Sequence, residues 1–372
     1  MEFKHLPRQY AKYKDEIDSA IMSVLSDAVF IGGQPVNELE IQLAEYVDIR
    51  NVITCANGSD SLELAIMALG ISAGDAVFVP SFTYVASAAC IKSVGATPIF
   101  IDVDKTTFNM LPDSLEYAIK KMRAETDLRL KAVVIVDLFG VPADYSKLSV
   151  ITQKYGLKII EDGAQSFGAK IHKKKVCSFG DIATTSFFPV KPLGCYGDGG
   201  AIFTDNDEYA MLIRSLKSHG SIPCDKYDSI RNGRNSRLDT IQAAILSIKL
   251  KALDDEIAQA QIRASEYAEL LPKGIEFPVV PHEYCSAWAQ YTVRFDNEAL
   301  RNKVKDALLK EKIPTMLYYR KPLHSQQAFE GALFYDMTNT NELSKTVLSL
   351  PFSPYMTEEE VSIVCAAIRE VL

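Results

Sequence analysis

Residues 158–204 read KIIEDGAQSFGAKIHKKKVCSFGDIATTSFFPVKPLGCYGDGGAIFT, and three short apolar, β-branched runs stand out in them. Lys158 to Glu161, Ala183 to Phe187 and Ala201 to Thr204 have the composition of strands. From residue 50 onward similar runs alternate with helical patterns. Strands are expected at Val52 to Cys55, Ala76 to Val79, Pro98 to Asp102 and Ala132 to Asp137. Helices are expected at Ser59 to Leu69, Tyr84 to Val94, Pro112 to Lys120 and Ser146 to Tyr155. Such alternation implies a mostly parallel sheet covered by helices on both faces. Ala132-Val133-Val134-Ile135-Val136 is apolar throughout, as a strand buried on both sides is. The last two strands break the alternation, because only a glycine-rich stretch joins them.

Beyond this sheet a long helical pattern begins near Leu238, with Asn235 or Ser236 available as its cap, and stops before Pro272-Lys273-Gly274. A strand over Ala289 to Phe295, a helix over Glu298 to Lys310, a strand over Thr315 to Tyr319 and a helix from Thr357 follow. The expected organisation is a large α/β domain over residues 1–245, opened by a helical segment, and a smaller α+β domain over 246–372.

Composition narrows the partners. A net charge of −8 and a pI near 5.3 argue against nucleic acid or an anionic membrane, which attract clustered Lys and Arg. The basic cluster Lys173-Lys174-Lys175 beside His172 reads as a solvated hairpin tip. Seven cysteines, an odd number without a C-x-x-C pair, fit reduced thiols in a cytoplasm and neither a disulfide framework nor a metal site. The first 30 residues lack the apolar core of a signal peptide, and no apolar run approaches the roughly 18 residues of a membrane span. A cytoplasmic protein is expected.

In an open parallel sheet, ligands collect beyond the carboxyl ends of the strands. Asn57-Gly58-Ser59-Asp60-Ser61 follows a strand and opens a helix, a place suited either to a phosphate or simply to a helix cap. Asp162 ends another strand. It is either a helix cap or the anchor of a protonated pyridine nitrogen. Lys191 lies between a strand end and glycines, where loss of water lowers an amine's pKa and favours the nucleophilic form. The glycines around it lack the G-x-G-x-x-G spacing of a dinucleotide site, which counts against a nicotinamide oxidoreductase.

The segments EDGAQSFGA, SFFPVKPLGCYGDGGAI and NSRLDTIQAA, with ANGSDSL, PSFTYVASA and KPLHSQ, resemble in order the signature segments of the DegT/DnrJ/EryC1/StrS family. The resemblance runs through nearly the whole chain. It implies the fold type I (aspartate aminotransferase-like) architecture with a mixed, mostly parallel seven-stranded sheet. It also implies a pyridoxal 5′-phosphate-dependent aminotransferase of nucleotide-linked keto-sugars, active as a homodimer with shared active sites. By similarity Lys191 bonds the cofactor as an imine and then shuttles a proton; a dehydrating branch of the family has His there. Asp162 pairs with the pyridine nitrogen, Gln165 approaches the ring oxygen and Tyr84 stacks on the ring. Gly58, Ser59, Asp60 and Ser186 hold the phosphate, joined by Asn235 from the second subunit. Arg237 is implied for a carboxylate or diphosphate on the sugar nucleotide, and Tyr318, Tyr319 and His324 for substrate. Arg320 stands where the family often has Pro.

L-Glutamate is the implied donor. The implied acceptor is C3 of UDP-2-acetamido-3-keto-glucuronic acid, on the way to a surface polysaccharide such as O-antigen. A UDP- or dTDP-linked 3-keto or 4-keto deoxyhexose is the alternative acceptor. A non-catalytic binder of cofactor or sugar nucleotide is the alternative class.

Overall fold

The computed structural model describes residues 1–222 and 225–372. Helices α1 (Leu6–Asp27) and α2 (Gln34–Val47) lead into an α/β series: β1 (Asn51–Cys55), α3 (Gly58–Ala68), β2 (Asp75–Pro80), α4 (Ala86–Ser93), β3 (Thr97–Ile101), α5 (Pro112–Glu125), β4 (Arg129–Val136), α6 (Tyr145–Tyr155) and β5 (Lys158–Asp162). A hairpin, β6 (Lys170–Ile171) and β7 (Lys174–Lys175), precedes β8 (Ile182–Ser186), β9 (Gly200–Thr204) and α7 (Asp207–Leu216). After β10 (Ser221–Ile222) and β11 (Asp225–Ser229) comes the 31-residue helix α8 (Thr240–Leu270). The chain closes with β12 (Tyr284–Cys285), β13 (Tyr291–Arg294), α9 (Glu298–Lys310), β14 (Leu333–Phe334), α10 (Thr338–Thr346), β15 (Val347–Leu350) and α11 (Glu358–Arg369).

Eight strands form the large sheet in the order β1-β9-β8-β5-β4-β2-β3-β14. Every neighbouring pair is parallel except the two that involve β9. Seven of these strands coincide with the expected ones. The eighth, β14, is a two-residue edge strand contributed by the C-terminal part of the chain. Alternate residues of the central strands enter two cores. Phe78, Val133 and Ile135 pack toward α5 and α6, while Val79, Val134 and Val136 pack on the other face. Each such side chain, fully buried, contributes about 1.5–3 kcal/mol. A third cluster joins α2 and α8 to Phe167, Phe187 and Phe203. A separate core around Tyr267, Trp288, Tyr291, Leu308 and Val364 holds α9, α11, β13 and β15 together.

The long helix begins later than its apolar pattern, at Thr240 with Asp239 as N-cap. Asn235 and Ser236 do not cap it. Asn235 bridges to Ser218, and Ser236 Oγ accepts the Ala56 N–H at 3.1 Å. Thr315 to Tyr319 is not a strand either: Met316 makes a single bridge to Ser349, and β15 pairs with β13 instead. The side chains of Tyr318 and Tyr319 pack toward Phe3 and Phe82, so tertiary contacts override the local β preference.

The Lys173–Lys175 cluster does form a hairpin, with His172 at φ 53° in its turn. Lys175 is not merely solvated, since its ammonium sits 3.0 Å from the centre of the Tyr46 ring. Cys55, Cys90, Cys177, Cys195, Cys285 and Cys365 are free thiols, and Cys224 lies outside the described residues. Among the described residues no helix is long and apolar enough to cross a membrane.

Candidate functional site

The antiparallel turn of β9 creates the site. Because β8 and β9 are neighbours of opposite direction, the chain must reverse over residues 187–199, and it does so at the carboxyl end of β5 and β8. The reversal is tightly tied. The Phe187 N–H donates to Gly199 O at 2.8 Å, the Cys195 N–H to Phe187 O at 2.8 Å, and the Lys191 N–H to Phe188 O at 2.9 Å. At Gly194 a Cβ would lie 2.5 Å from Pro189 O, so the fold of this loop requires glycine there. From α8 the buried Lys249 donates to Gly194 O.

Lys191 projects from this loop. Burial pushes its amine below the usual lysine range, and the Asp162 carboxylate opposes that shift. Asp162, the last residue of β5, is 5% exposed. Burial pushes its carboxyl above the usual range; the Ser87 hydroxyl (2.8 Å), the Ala164 N–H (3.2 Å) and Lys191 pull it back down. The two residues therefore form a half-buried base and a buried acid within electrostatic reach of each other.

Across the strand ends lies the first turn of α3. Asn57 caps it, its Oδ1 accepting the Asp60 N–H at 2.8 Å. The Asp60 N–H is thus engaged by the cap. Helix geometry leaves the N–H groups of Gly58 and Ser59 without intrahelical acceptors. A Cβ on Gly58 would lie 2.6 Å from Ser186 Cβ, and one on Gly200 would lie 2.6 Å from the Asn57 carbonyl. The turn is therefore pressed against the ends of β8 and β9, beside the Ser186 hydroxyl. A helix N-terminus, a serine on its first turn and a second serine facing it make a cradle of the kind phosphates occupy.

Two contacts bring the C-terminal part of the chain to these strand ends. Gln165 accepts the Phe139 N–H at 2.9 Å and donates through Nε2 to the Tyr319 hydroxyl at 3.1 Å. His324 Nδ1 is 2.7 Å from the Ser81 hydroxyl just past β2. Burial raises the Tyr319 phenol and lowers the His324 imidazole from their usual ranges. Tyr318 and Tyr319 are joined by a cis peptide, and the ring of Tyr318 meets Phe3 edge-on at 6.4 Å. Tyr84, after β2, is 56% exposed and open on one face.

Lys191, Asp162, Gln165, Ser186, the Gly58–Asp60 turn, Tyr319 and His324 thus share one end of the sheet. Asn235 and Arg237 are exposed, and no hydrogen bond or ion pair joins them to those residues among the described contacts. Their loop is nevertheless fastened to the site by the Ser236–Ala56 bond. Sequence reasoning missed Ser87, Ser81 and Lys249. For Ser87 a signal existed, since it lies within the PSFTYVASA segment on which the resemblance rests. The other two act through tertiary contacts with no local signature.

The model of the DegT/DnrJ/EryC1/StrS aminotransferase family matches residues 11–369. The chain belongs to this family. Family membership makes it an aminotransferase and removes the only support for a nicotinamide enzyme, the bare α/β pattern. Over 369 residues it is 44% identical to the UDP-2-acetamido-2-deoxy-3-oxo-D-glucuronate aminotransferase of Pseudomonas aeruginosa, covering 99% of both chains. A family member from Brucella abortus has the same fold with a TM-score of 0.97 at 42% identity, over 100% of this chain and 99% of that one. DesV of S. venezuelae, solved with a ketimine intermediate, matches with a TM-score of 0.92 at 33% identity, over 99% and 97%.

Proposed function

We propose that this chain moves an amino group from L-glutamate to the C3 ketone of UDP-2-acetamido-3-keto-glucuronic acid, with pyridoxal 5′-phosphate held at Lys191. The observation that carries the reading is that Lys191, half-buried in the loop after β8, lies within electrostatic reach of the buried Asp162 carboxyl at the end of β5. The neighbouring phosphate cradle at Gly58, Ser59 and Ser186 supports it. When bound, the cofactor supplies a ring that takes up the electron pair left on the substrate carbon.

The chain's own residues supply the rest. Lys191 Nζ removes the proton from the donor's α-carbon and later returns one to the former ketone carbon. Asp162 holds a proton on the ring nitrogen. Gln165 Nε2, with one N–H spent on Tyr319, offers the other to the ring oxygen. Tyr84 covers the ring with its open face. Asn235 completes the phosphate site of a second copy in a homodimer. Arg237 takes an anionic group of the sugar nucleotide, its diphosphate or a sugar carboxylate. It is exposed and has no ion pair within the described residues, which leaves its guanidinium available to such a group. Tyr319 Oη accepts from Gln165 and keeps its O–H to donate, while His324 is engaged by Ser81 and Asn341, so substrate contacts fall first to the Tyr318 and Tyr319 hydroxyls.

The reading includes a cytoplasmic enzyme serving polysaccharide synthesis. It also includes a cofactor-binding domain over 1–245 and a smaller one over 246–372, with α8 running through the division.

Absorbance tests it. The holoenzyme is expected to be yellow and to be bleached by L-glutamate. The bleached form is then mixed with a panel of nucleotide keto-sugars. The colour should return fastest with UDP-2-acetamido-3-keto-glucuronic acid; equal or faster return with a deoxyhexose would reassign the acceptor. A chain that glutamate never bleaches is a binding protein and not this enzyme.

A further inference from the structure

Beside Lys191, on the side away from the phosphate cradle, lies a cavity of about 60 Å³. Its walls include Lys4, His5, Lys191, Glu256, Trp288 and Tyr355. About 10–15 Å³ of such space already holds one water, so this cavity accommodates a carboxylate group.

Lys4 is brought here by the N-terminal segment, which is fixed where Phe3 O accepts the Phe352 N–H at 3.2 Å. Its ammonium donates to the neutral carbonyl of Ala289 and lies 5.9 Å from the centre of the Phe352 ring. Among the described residues it forms no ion pair. Burial, with the neighbouring Lys191 adding to it, pulls Lys4 down to about 7. Glu256, on another wall, does not compensate it. That carboxylate is held by Gln9 Nε2 at 3.1 Å and by the Tyr355 hydroxyl, and its charged neighbours are Lys249 and Lys12.

His5 adds an independent observation. It is 2% exposed; Nδ1 has no hydrogen-bond partner, while Nε2 faces the Glu360 carboxylate at 3.6 Å. Buried donors without acceptors are costly, and so is an ammonium held beside a second amine. One entering anion relieves both.

We propose that Lys4, with His5 beside it, holds a carboxylate of a bound substrate in this cavity and so selects acidic substrates for Lys191. The identity of those substrates rests on the proposed transamination. Two carboxylates qualify: that of a dicarboxylic amino donor and that of a sugar acid.

Calorimetric binding to the holoenzyme separates them without turnover, since glutarate has no amino group and UDP-glucuronic acid no ketone. Wild type, Lys4→Met and Lys4→Arg are titrated with glutarate, UDP-glucuronic acid and UDP-glucose. If Lys4 serves the donor, Lys4→Met weakens glutarate about tenfold or more. If it serves the sugar, Lys4→Met abolishes the preference for UDP-glucuronic acid over UDP-glucose by a similar factor. Lys4→Arg keeps most of the binding in either case. Unchanged affinities in Lys4→Met overturn the proposal, and so does a wild type that binds none of these probes at millimolar concentration. Should Lys4→Met not fold, Lys4→Gln makes the same comparison. Bleaching of the wild type by L-glutamate is scored separately, so a failed transamination and a failed carboxylate site are told apart.

Discussion

The Ser87 hydroxyl donates to Asp162 Oδ2 at 2.8 Å, so the acid at the end of β5 is held from helix α4 as well as from its own turn. That bond lowers the Asp162 carboxyl against the upward push of burial. Ser87→Ala removes a donor to the ionised form. The Asp162 pKa then rises, and the acid limb of the rate profile for bleaching by glutamate moves to higher pH. At neutral pH the half-reaction should slow roughly tenfold. Stopped-flow absorbance across pH 5 to 8 reads both effects, and a profile that stays in place removes Ser87 from the site.

Borohydride reduction of the holoenzyme followed by peptide mass mapping should find the pyridoxyl group on Lys191. Lys4 is the informative rival, because it shares the cavity and its amine is also depressed, to about 7. An adduct on Lys4 or on any other lysine refutes the assignment. Lys191→Arg should yield no adduct and lose at least 100-fold in the glutamate half-reaction, on the order of 3 kcal/mol or more.

Gly58→Ala places a methyl group 2.6 Å from Ser186 Cβ and 3.2 Å from Ser186 Cα. The turn of α3 must lift from the sheet, at about 1–3 kcal/mol. A lower thermal midpoint is expected, together with weaker retention of pyridoxal phosphate on dialysis. Retention equal to wild type would separate this turn from the cofactor.

Lys249 is 2% exposed, and burial lowers its ammonium to about 8. Between that value and the ordinary lysine value of 10.5, the unfolded chain binds more protons than the folded one. Stability therefore rises with pH through this window, by about 2 kcal/mol from pH 7 to 9.5. Lys249→Met should flatten this increment in urea melts. It should also loosen the Lys191 loop, since Gly194 O loses its donor.

The sheet was legible because the centres of β2 and β4 are buried on both faces, so Ala76 to Val79 and Ala132 to Val136 are pure apolar runs. Lys191, Asp162 and Ser186 were legible by resemblance, and strand ends supplied their physical setting. The segment around Tyr318 and Tyr319 was misread as a strand because its β-forming residues are used for contacts at the site, with Gln165 and Phe82. α7 and α10 were not anticipated. Their polar residues include caps, such as Asn206 for α7, and their apolar stripes are short. Lys4 and Lys249 carry no local mark at all. Each matters only through a partner far along the chain, Ala289 for one and Gly194 for the other.

The exchange of direction at β9 also orders events in time. Among the described residues β1 sits at the sheet edge with β9 as its one strand partner, Asn51 lying opposite Thr204. A ribosome releases β1 early but its partner only after every strand from β2 to β8 has emerged. Until then β1 is an open edge exposed to unwanted pairing, and the first turn of α3 lacks the Gly200 surface on which it rests. The first turn of α3 thus gains its seat only when β9 emerges, with the edge strand β14 still to come.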